Sequence, residues 1–320
     1  MNREISAHKY SEVHARKIDW LWYPYIAFGK ITLLQGDPGD GKSTFILQLA
    51  SLLTRGRNLP DGSKAKKPIN VIYQCKEDSP EDTIKPRLIL ADADCDRVFF
   101  FSNEPELALD DQRLENAIRN VGAKLVIFDP IQSFIPRDAD MMNAVKMRSV
   151  MSALSKVAEQ CGCAIVLVGH LTKDSGNKSL YRGLGSIDIA AVARSILMIY
   201  RDEDNPSVRI MAQIKNNLGP EGMDILFELK EEQGFEWKGT AAHGEIRKDD
   251  IVKSPMEKAE SVVRCMLQDG DAKSVDILEH LDLMGISGRT AYRAKKALNV
   301  NAYKRGNAWY WHLPADNQEK

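Results

Sequence analysis
From about residue 30 to residue 230, short runs of consecutive apolar residues alternate with longer stretches whose apolar positions recur at helical spacing. Runs of the first kind predict strands and stretches of the second kind helices. Their alternation is the pattern of an α/β fold, a largely parallel sheet flanked by helices. Strands are predicted at Lys30–Gln35, Asn70–Cys75, Val98–Phe101, Lys124–Asp129, Ala164–Gly169, Ser195–Arg201, Val208–Asn216 and Met223–Lys230. The last of these read as antiparallel hairpins, because the turn pairs Asn205-Pro206 and Gly219-Pro220 separate short runs. Between the fourth and fifth strands, Met147, Val150, Met151, Leu154, Val157 and Ala158 keep helical spacing and Gly162 stands where a helix would stop. That crossover helix is expected to hold its methionines in the core.

After Trp237 the chain turns polar from Lys238 to Lys253, the composition of a linker. A second unit then starts sharply, with an N-cap serine, a first-turn proline and a glutamate three residues after the cap in Ser254-Pro255-Met256-Glu257. Ala259, Val262, Val263 and Met266 form one apolar stripe, ended by Gly270. Helical patterns at Pro255–Asp269, Val275–Leu283 and Gly288–Leu298 precede a hairpin with Arg305-Gly306-Asn307 at its tip. Three helices and a hairpin are the layout of a winged helix-turn-helix, with Met284-Gly285-Ile286-Ser287 as the turn and the third helix's cap. The organisation expected is an N-terminal arm (1–28), an α/β domain (29–238), a linker (239–253), a winged-helix domain (254–315) and a tail (316–320).

A chain of 320 residues suits one large domain with a small companion, and 43% apolar with 28% charged residues is an ordinary globular mixture. A formal charge of -1 gives no overall field to hold DNA or an anionic membrane, so any nucleic-acid contact must be local. The start, MNREISAHKY, lacks the apolar run of a signal peptide, and no stretch approaches a membrane span, so a cytoplasmic protein without membrane contact is expected. Five irregularly spaced cysteines suit a reducing compartment, and Cys161 and Cys163 read as structural thiols rather than metal ligands.

One motif carries the chemistry. Gly36-Asp37-Pro38-Gly39-Asp40-Gly41-Lys42-Ser43, followed by Thr44, fits G-x-x-x-x-G-K-[ST] and lies between a strand and a helix, as a phosphate loop must. Its glycines let backbone N–H groups turn inward around phosphates at the positive end of the following helix. Lys42 is expected to reach the β- and γ-phosphates and Ser43 to ligate Mg²⁺. Asp129 ends an apolar strand, where the second magnesium acid belongs; the alternative is a carboxylate capping the next turn. Glu77 follows the second strand and is the candidate to activate the attacking water, though Asp78, Glu81 and Asp82 make a merely solvated acidic loop an alternative. His170 closes the fifth strand, as a γ-phosphate sensor or a structural histidine. Lys215 and Arg194 flank hairpin strands, either as trans-acting fingers in a ring of subunits or as plain cations. The chain has no N-K-x-D guanine reader, which leaves ATP as the nucleotide.

Taken in order, GDPGDGKST, QCKED, FDPIQSF, VGHLTK, YRGLGSIDIAAVARSIL and IKNNLGP resemble the RecA-type ATPases of the RepA hexameric helicase group, over roughly residues 18–235. The resemblance implies a RecA-like core, a homo-oligomeric ring with ATP between subunits, and single-stranded DNA in a central channel. By motif position Glu77 is similar to that family's water-activating acid, Asp129 to its magnesium acid and His170 to its γ-phosphate sensor. Lys215 lies where related ring helicases place a K-x-R pair of fingers, but Asn217 occupies the arginine place, so Arg194 is an alternative source of the guanidinium. Phe134–Lys146 and Leu171–Ile187 lie where the family places channel loops, and there Lys173 and Arg182 are candidate strand contacts. The aromatic entry Trp20-Leu21-Trp22-Tyr23-Pro24 is expected to pack on the core or on a neighbouring subunit.

In the last predicted helix Arg289, Arg293 and Lys296 share one face, while Ala291, Ala294 and Leu298 turn inward. With Lys304 and Arg305 on the hairpin they form a basic patch, and no acid occurs from Leu283 to Pro314. That patch is read as a duplex DNA-binding surface, with a solvated basic face as the alternative. The reading expected for the whole chain is a DNA-binding RecA-like ATPase, a mobile-element replicative helicase or its loader. A DNA-bound regulatory or defence ATPase and a non-catalytic nucleotide-binding module are the other two readings.

Overall fold
The computed structural model describes residues 9–314 except 66, 103–106, 137–143, 171–186, 203–204, 231–233, 243–254, 268–269, 284–285 and 307. The chain enters the fold through a small antiparallel pair, β1 (Trp20–Trp22) and β2 (Ile26–Ala27). Trp22 and Tyr25 of this pair are buried, so the aromatic entry packs on the core, although Tyr23 stays 55% exposed.

The α/β body follows as β3 (Ile31–Gly36), α1 (Lys42–Arg55), β4 (Asn70–Cys75), α2 (Lys85–Leu90), β5 (Val98–Phe99), α3 (Arg113–Val121), β6 (Ala123–Asp129), α4 (Ala144–Cys161), β7 (Ala164–His170) and α5 (Ile187–Val192). It continues through β8 (Ser195–Arg201), β9 (Val208–Asn216), β10 (Asp224–Lys230) and β11 (Gly234–Ala241). Among the described residues these strands form one nine-stranded sheet in the order β11-β10-β9-β8-β3-β7-β6-β4-β5. The strands from β8 to β5 pair parallel, and β9, β10 and β11 add an antiparallel edge.

Strand alternation sorts the core into two layers. Leu33, Val126, Phe128, Ile165 and Leu167 face one side with α3, α4 and α5. Leu34, Leu125, Ile127, Val166 and Val168 face the other with α1, α2, Trp22 and Tyr25. Met147, Val150, Met151, Leu154 and Ala158 are buried as their spacing predicts, and Gly162 takes the left-handed φ of 57° after α4.

Three elements differ from the periodicity. α3 is a helix with two buried residues, Leu114 and Ile118, too few to stand out as a stripe. The strand predicted at Val98–Phe101 stops at Phe99, leaving Phe100 61% exposed at the sheet edge. β11 runs through Lys238–Ala241, the start of the polar stretch. Phe235 and Trp237 pack on Phe227, and the polar positions are tolerated because this edge strand has one partner strand and an exposed face.

A C-terminal unit is built from α6 (Pro255–Met266), β12 (Ala272–Lys273), α7 (Ser274–Leu283), α8 (Gly288–Ala297), β13 (Asn301–Arg305) and β14 (Ala308–His312). Its three helices and small antiparallel sheet, ordered β12-β14-β13, enclose a separate core around Val262, Ile277, Leu281, Ala291, Ala294 and Trp311. The expected cap Ser254 lies outside the described residues, as do Met284 and Gly285 of the predicted turn.

Candidate nucleotide site
β3 runs through the middle of the sheet, between β7 and β8, and delivers the loop at its C-terminal end, where open parallel sheets hold ligands. Gly36 closes the strand against the backbone of β8: a Cβ there would lie 2.5 Å from the Ile199 carbonyl oxygen, so no larger residue fits. Gly39 and Gly41 have φ of 81° and 89°, the left-handed region where a side chain strains the backbone. Gly41 caps α1, and Asp37, Pro38 and Gly39 form an exposed crest. Lys42 starts the helix with 3% exposure and folds back, its Nζ donating to the Gly36 and Asp37 carbonyls at 2.8 Å each. Burial lowers the Lys42 pKa, opposed by the carboxylates of Asp40, Asp129 and Asp37. Ser43 and Thr44 follow, on the first turn.

The neighbouring strand ends bring the other candidates to the same place. His170 at the end of β7 is in register with Gly36, and Asp129 ends β6, the next strand across. Asp129 is 3% exposed and its Oδ2 accepts a hydrogen bond from the Tyr73 hydroxyl at 2.6 Å. Burial first, and the Asp129 charge second, push the Tyr73 phenol well up, so it remains a donor that holds the carboxylate in place. Burial and then the Lys42 charge lower the His170 pKa, against the pull of Glu77 and Asp129, which favours the neutral imidazole. Its Nδ1 is buried without a hydrogen-bond partner. Glu77 follows β4 at the surface, while Asp78 is engaged by Arg87 at 2.8 Å.

The site thus gathers backbone donors, one ammonium, one hydroxyl, one fixed carboxylate, one imidazole and one further carboxylate. The Ser43 hydroxyl and Asp129 carboxylate are hard oxygen donors of the kind magnesium takes, and the orphaned His170 nitrogen fits a phosphate oxygen or water. A cleft of about 270 Å³ lies beside α1, lined by Thr44, Gln48, Arg87, Leu229 and Lys230. A larger cavity of about 570 Å³ lies between Arg16–Leu21 and Lys30, Lys124 and Glu159, at the far end of the sheet, and holds none of the motif residues.

Sequence reading passed over two residues. Tyr73 is an ordinary apolar-run tyrosine until β4 pairs with β6. Arg201 ends β8 and binds the loop, Nε to Asp40 Oδ1 at 3.0 Å and Nη2 to the Gly39 carbonyl at 3.3 Å. Its only sequence signal is a cation at a strand end, together with the acidic Asp40.

Lys215 and Arg194 lie elsewhere. Lys215 pairs with Ile196 at the start of β8, whereas Arg201 ends that strand beside the loop; the five-residue separation spans about 17 Å. Arg194 donates its backbone N–H to Ile31 at the start of β3. Neither reaches the phosphate loop of its own chain. Lys215 Nζ donates to the Ala190 and Ala191 carbonyls at 2.9 and 3.2 Å, and burial, then the Arg194 charge, lower its pKa to about 8. Lys173 and Arg182 lie outside the described residues, and Phe134, the start of the first expected channel loop, is instead buried against Phe128 at 5.2 Å.

In the C-terminal unit Ser287 Oγ caps α8 by accepting from Thr290 N at 3.3 Å. Arg289, Arg293 and Lys296 are exposed while Ala291, Ala294 and Leu298 are buried, and Lys304 and Arg305 stand exposed on β13. Lys295 lies over the Trp311 ring, 5.3 Å from its centroid. Among the described residues no group of His, Cys, Asp and Glu side chains gathers as a metal cluster, Cys163 is buried as a free thiol, and no helix is long and apolar enough to cross a membrane.

The family model described as AAA domain (AAA_25) matches residues 5–176. DNA repair protein RadA of Halalkalibacterium halodurans is 28% identical over 208 residues, covering 63% of this chain and 40% of RadA. The Bacillus subtilis RadA is 26% identical over 213 residues, covering 64% and 40%. The chain therefore matches about 40% of the length of these curated relatives. A solved ATPase domain superposes with a TM-score of 0.51 at 15% identity, covering 66% of this chain and 84% of that domain, a likeness of fold.

Proposed function
This chain belongs to the AAA domain family, a RecA-like P-loop ATPase by that membership, and we propose that it is a DNA-dependent ATPase working as a homo-oligomeric ring, a replicative helicase or loader of the RepA kind. The observation that carries this reading is the division of the candidate machinery between the two ends of the sheet. The phosphate loop, Glu77, Asp129 and His170 share one end, and Lys215 and Arg194 stand about 17 Å away at the other. A cation so placed serves a nucleotide only if that nucleotide belongs to another copy, so the finger role requires the ring. The printed name of the RadA relatives, DNA repair protein, supports the DNA part of this reading.

In this reading Gly36–Thr44 hold the phosphates of ATP, and Lys42 releases Gly36 and Asp37 to contact them. Ser43 and Asp129 would hold Mg²⁺, which supplies charge neutralisation on the phosphates. Tyr73 keeps the Asp129 carboxylate oriented. Glu77 accepts the proton of the water that attacks the γ-phosphate, and His170 offers a donor to that phosphate or water. Lys215, on releasing the Ala190 and Ala191 carbonyls, would complete a neighbour's site, with Arg194 as the alternative guanidinium. Single-stranded DNA passes the ring, where Lys173 and Arg182 are candidate contacts. The C-terminal unit, a winged helix-turn-helix, binds duplex through Arg289, Arg293, Lys296, Lys304 and Arg305. The domain limits proposed are those of arm, ATPase domain, linker and winged helix given above, except that β11 carries the ATPase domain through Ala241 and the linker starts after it.

The test is magnesium-dependent ATP hydrolysis with and without single-stranded DNA. Stimulation by the strand, abolished in Lys42→Ala, is expected; no turnover under either condition leaves a nucleotide-binding module. Strand displacement on a forked duplex then separates a helicase from a DNA-bound regulator.

A further inference from the structure
The loop that is to receive a polyphosphate carries two carboxylates of its own, Asp37 and Asp40. Asp37 stands exposed on the crest, where water screens it. Asp40 is only 5% exposed, and Coulomb repulsion there is weakly damped. An uncompensated carboxylate at that point would push away the ligand the loop is shaped to hold, and would compete for the ammonium of Lys42.

Asp40 is nevertheless built into the loop. Its Oδ2 accepts the backbone N–H of Asp37 at 2.9 Å, which bends the crest, and its Oδ1 accepts from Arg201 Nε at 3.0 Å. Arg201 also donates through Nη2 to the Gly39 carbonyl at 3.3 Å, so one guanidinium grips both a side chain and the backbone of the loop. The position follows from topology. β8 lies beside β3 in parallel, so the end of β8 arrives where the loop begins. Arg209, paired with Arg201 on β9, turns its own guanidinium to the Pro206 and Val208 carbonyls, so its charge and that of Asp40 act on each other but the hydrogen bond to Asp40 comes from Arg201. Asp40 is also the carboxylate that acts most strongly on Lys42, which places it within electrostatic range of the phosphate position.

We propose that Arg201 is a positioning residue for the nucleotide, neutralising Asp40 so that an acidic phosphate loop keeps the shape Asp40 imposes and still accepts a nucleoside triphosphate. This rests on the reading of Gly36–Thr44 as the nucleotide site. Because the repulsion it removes scales with ligand charge, its loss is graded by the number of phosphates, which a purely structural defect is not.

The experiment measures binding of fluorescent ADP and ATP analogues with magnesium to the full chain. Arg201→Ala is expected to weaken ADP about threefold and ATP about tenfold. Arg201→Lys retains most of the affinity. Adding Asp40→Asn to Arg201→Ala restores both nucleotides to within about twofold, since the amide oxygen still accepts from Asp37 while the charge is gone. Asp40→Asn alone, a milder change should Arg201→Ala fold poorly, is expected to bind ATP at least as tightly as the parent. Equal losses for the two nucleotides, no rescue in the double variant, or weaker ATP binding by Asp40→Asn would each overturn the proposal. Binding that survives Lys42→Ala unchanged would instead sink the nucleotide-site reading; binding lost there but indifferent to Arg201 sinks only the role of Arg201.

Discussion
Glu77 and Asp78 are neighbours in sequence with different availability. Asp78 is held by Arg87 at 2.8 Å, whereas Glu77 lies on the side of His170, whose titration it influences. In the proposed mechanism Glu77 is the base because it is exposed and outside that ion pair. Glu77→Gln is therefore expected to bind ATP normally and to slow single-turnover hydrolysis at least about tenfold; unchanged turnover would move the role to another group. At this scale the sequence foretold position wherever a motif spacing enforced it, as in the placement of Gly36–Thr44, Asp129 and His170 at neighbouring strand ends. Tyr73 and Arg201 escaped, because a partner several strands away in the chain leaves no local pattern.

Elements place these residues, and the end of each strand decides what its last side chain meets. Lys215 illustrates the point, since β9 carries it to the end of the sheet remote from the loop and against the carbonyl end of α5. With a folded pKa of about 8 against an ordinary 10.5, the folded chain sheds this proton between those values while the unfolded chain still holds it. The unfolded state then binds more protons, so unfolding free energy rises with pH from about 8 and is level in this respect below it. Urea midpoints from about pH 7 to 10 should show the parent gaining on Lys215→Met above about pH 8, and parallel curves would refute the buried ammonium. Periodicity foretold the central strands because they are buried on both faces, and the α4 crossover because one long stripe of it is buried. It missed α3 and β11, whose single apolar face carries few residues.

For the molecule as a whole, a net charge of -1 conceals an uneven distribution, with Arg289, Arg293, Lys296, Lys304 and Arg305 exposed together on the C-terminal unit. Duplex binding by the full chain is expected to fall with salt at a log-log slope of about -3 to -5, each alanine substitution among these cations reducing the slope by about 1. A salt-insensitive interaction, or none at low ionic strength, would assign the patch to a protein partner. Chain pattern alone carried the α/β class, the loop with its strand and helix, the order of the acids and the inward face of α8. These depend on local spacing and on which side of an element is buried, which neighbouring residues encode. The pairing of Tyr73 with Asp129, the grip of Arg201 on Asp40 and the separation of Lys215 from the loop arise from strand order in the sheet. A contact such as Arg201 to Asp40, 161 positions apart, is settled by how elements pack, and no run of adjacent residues records that.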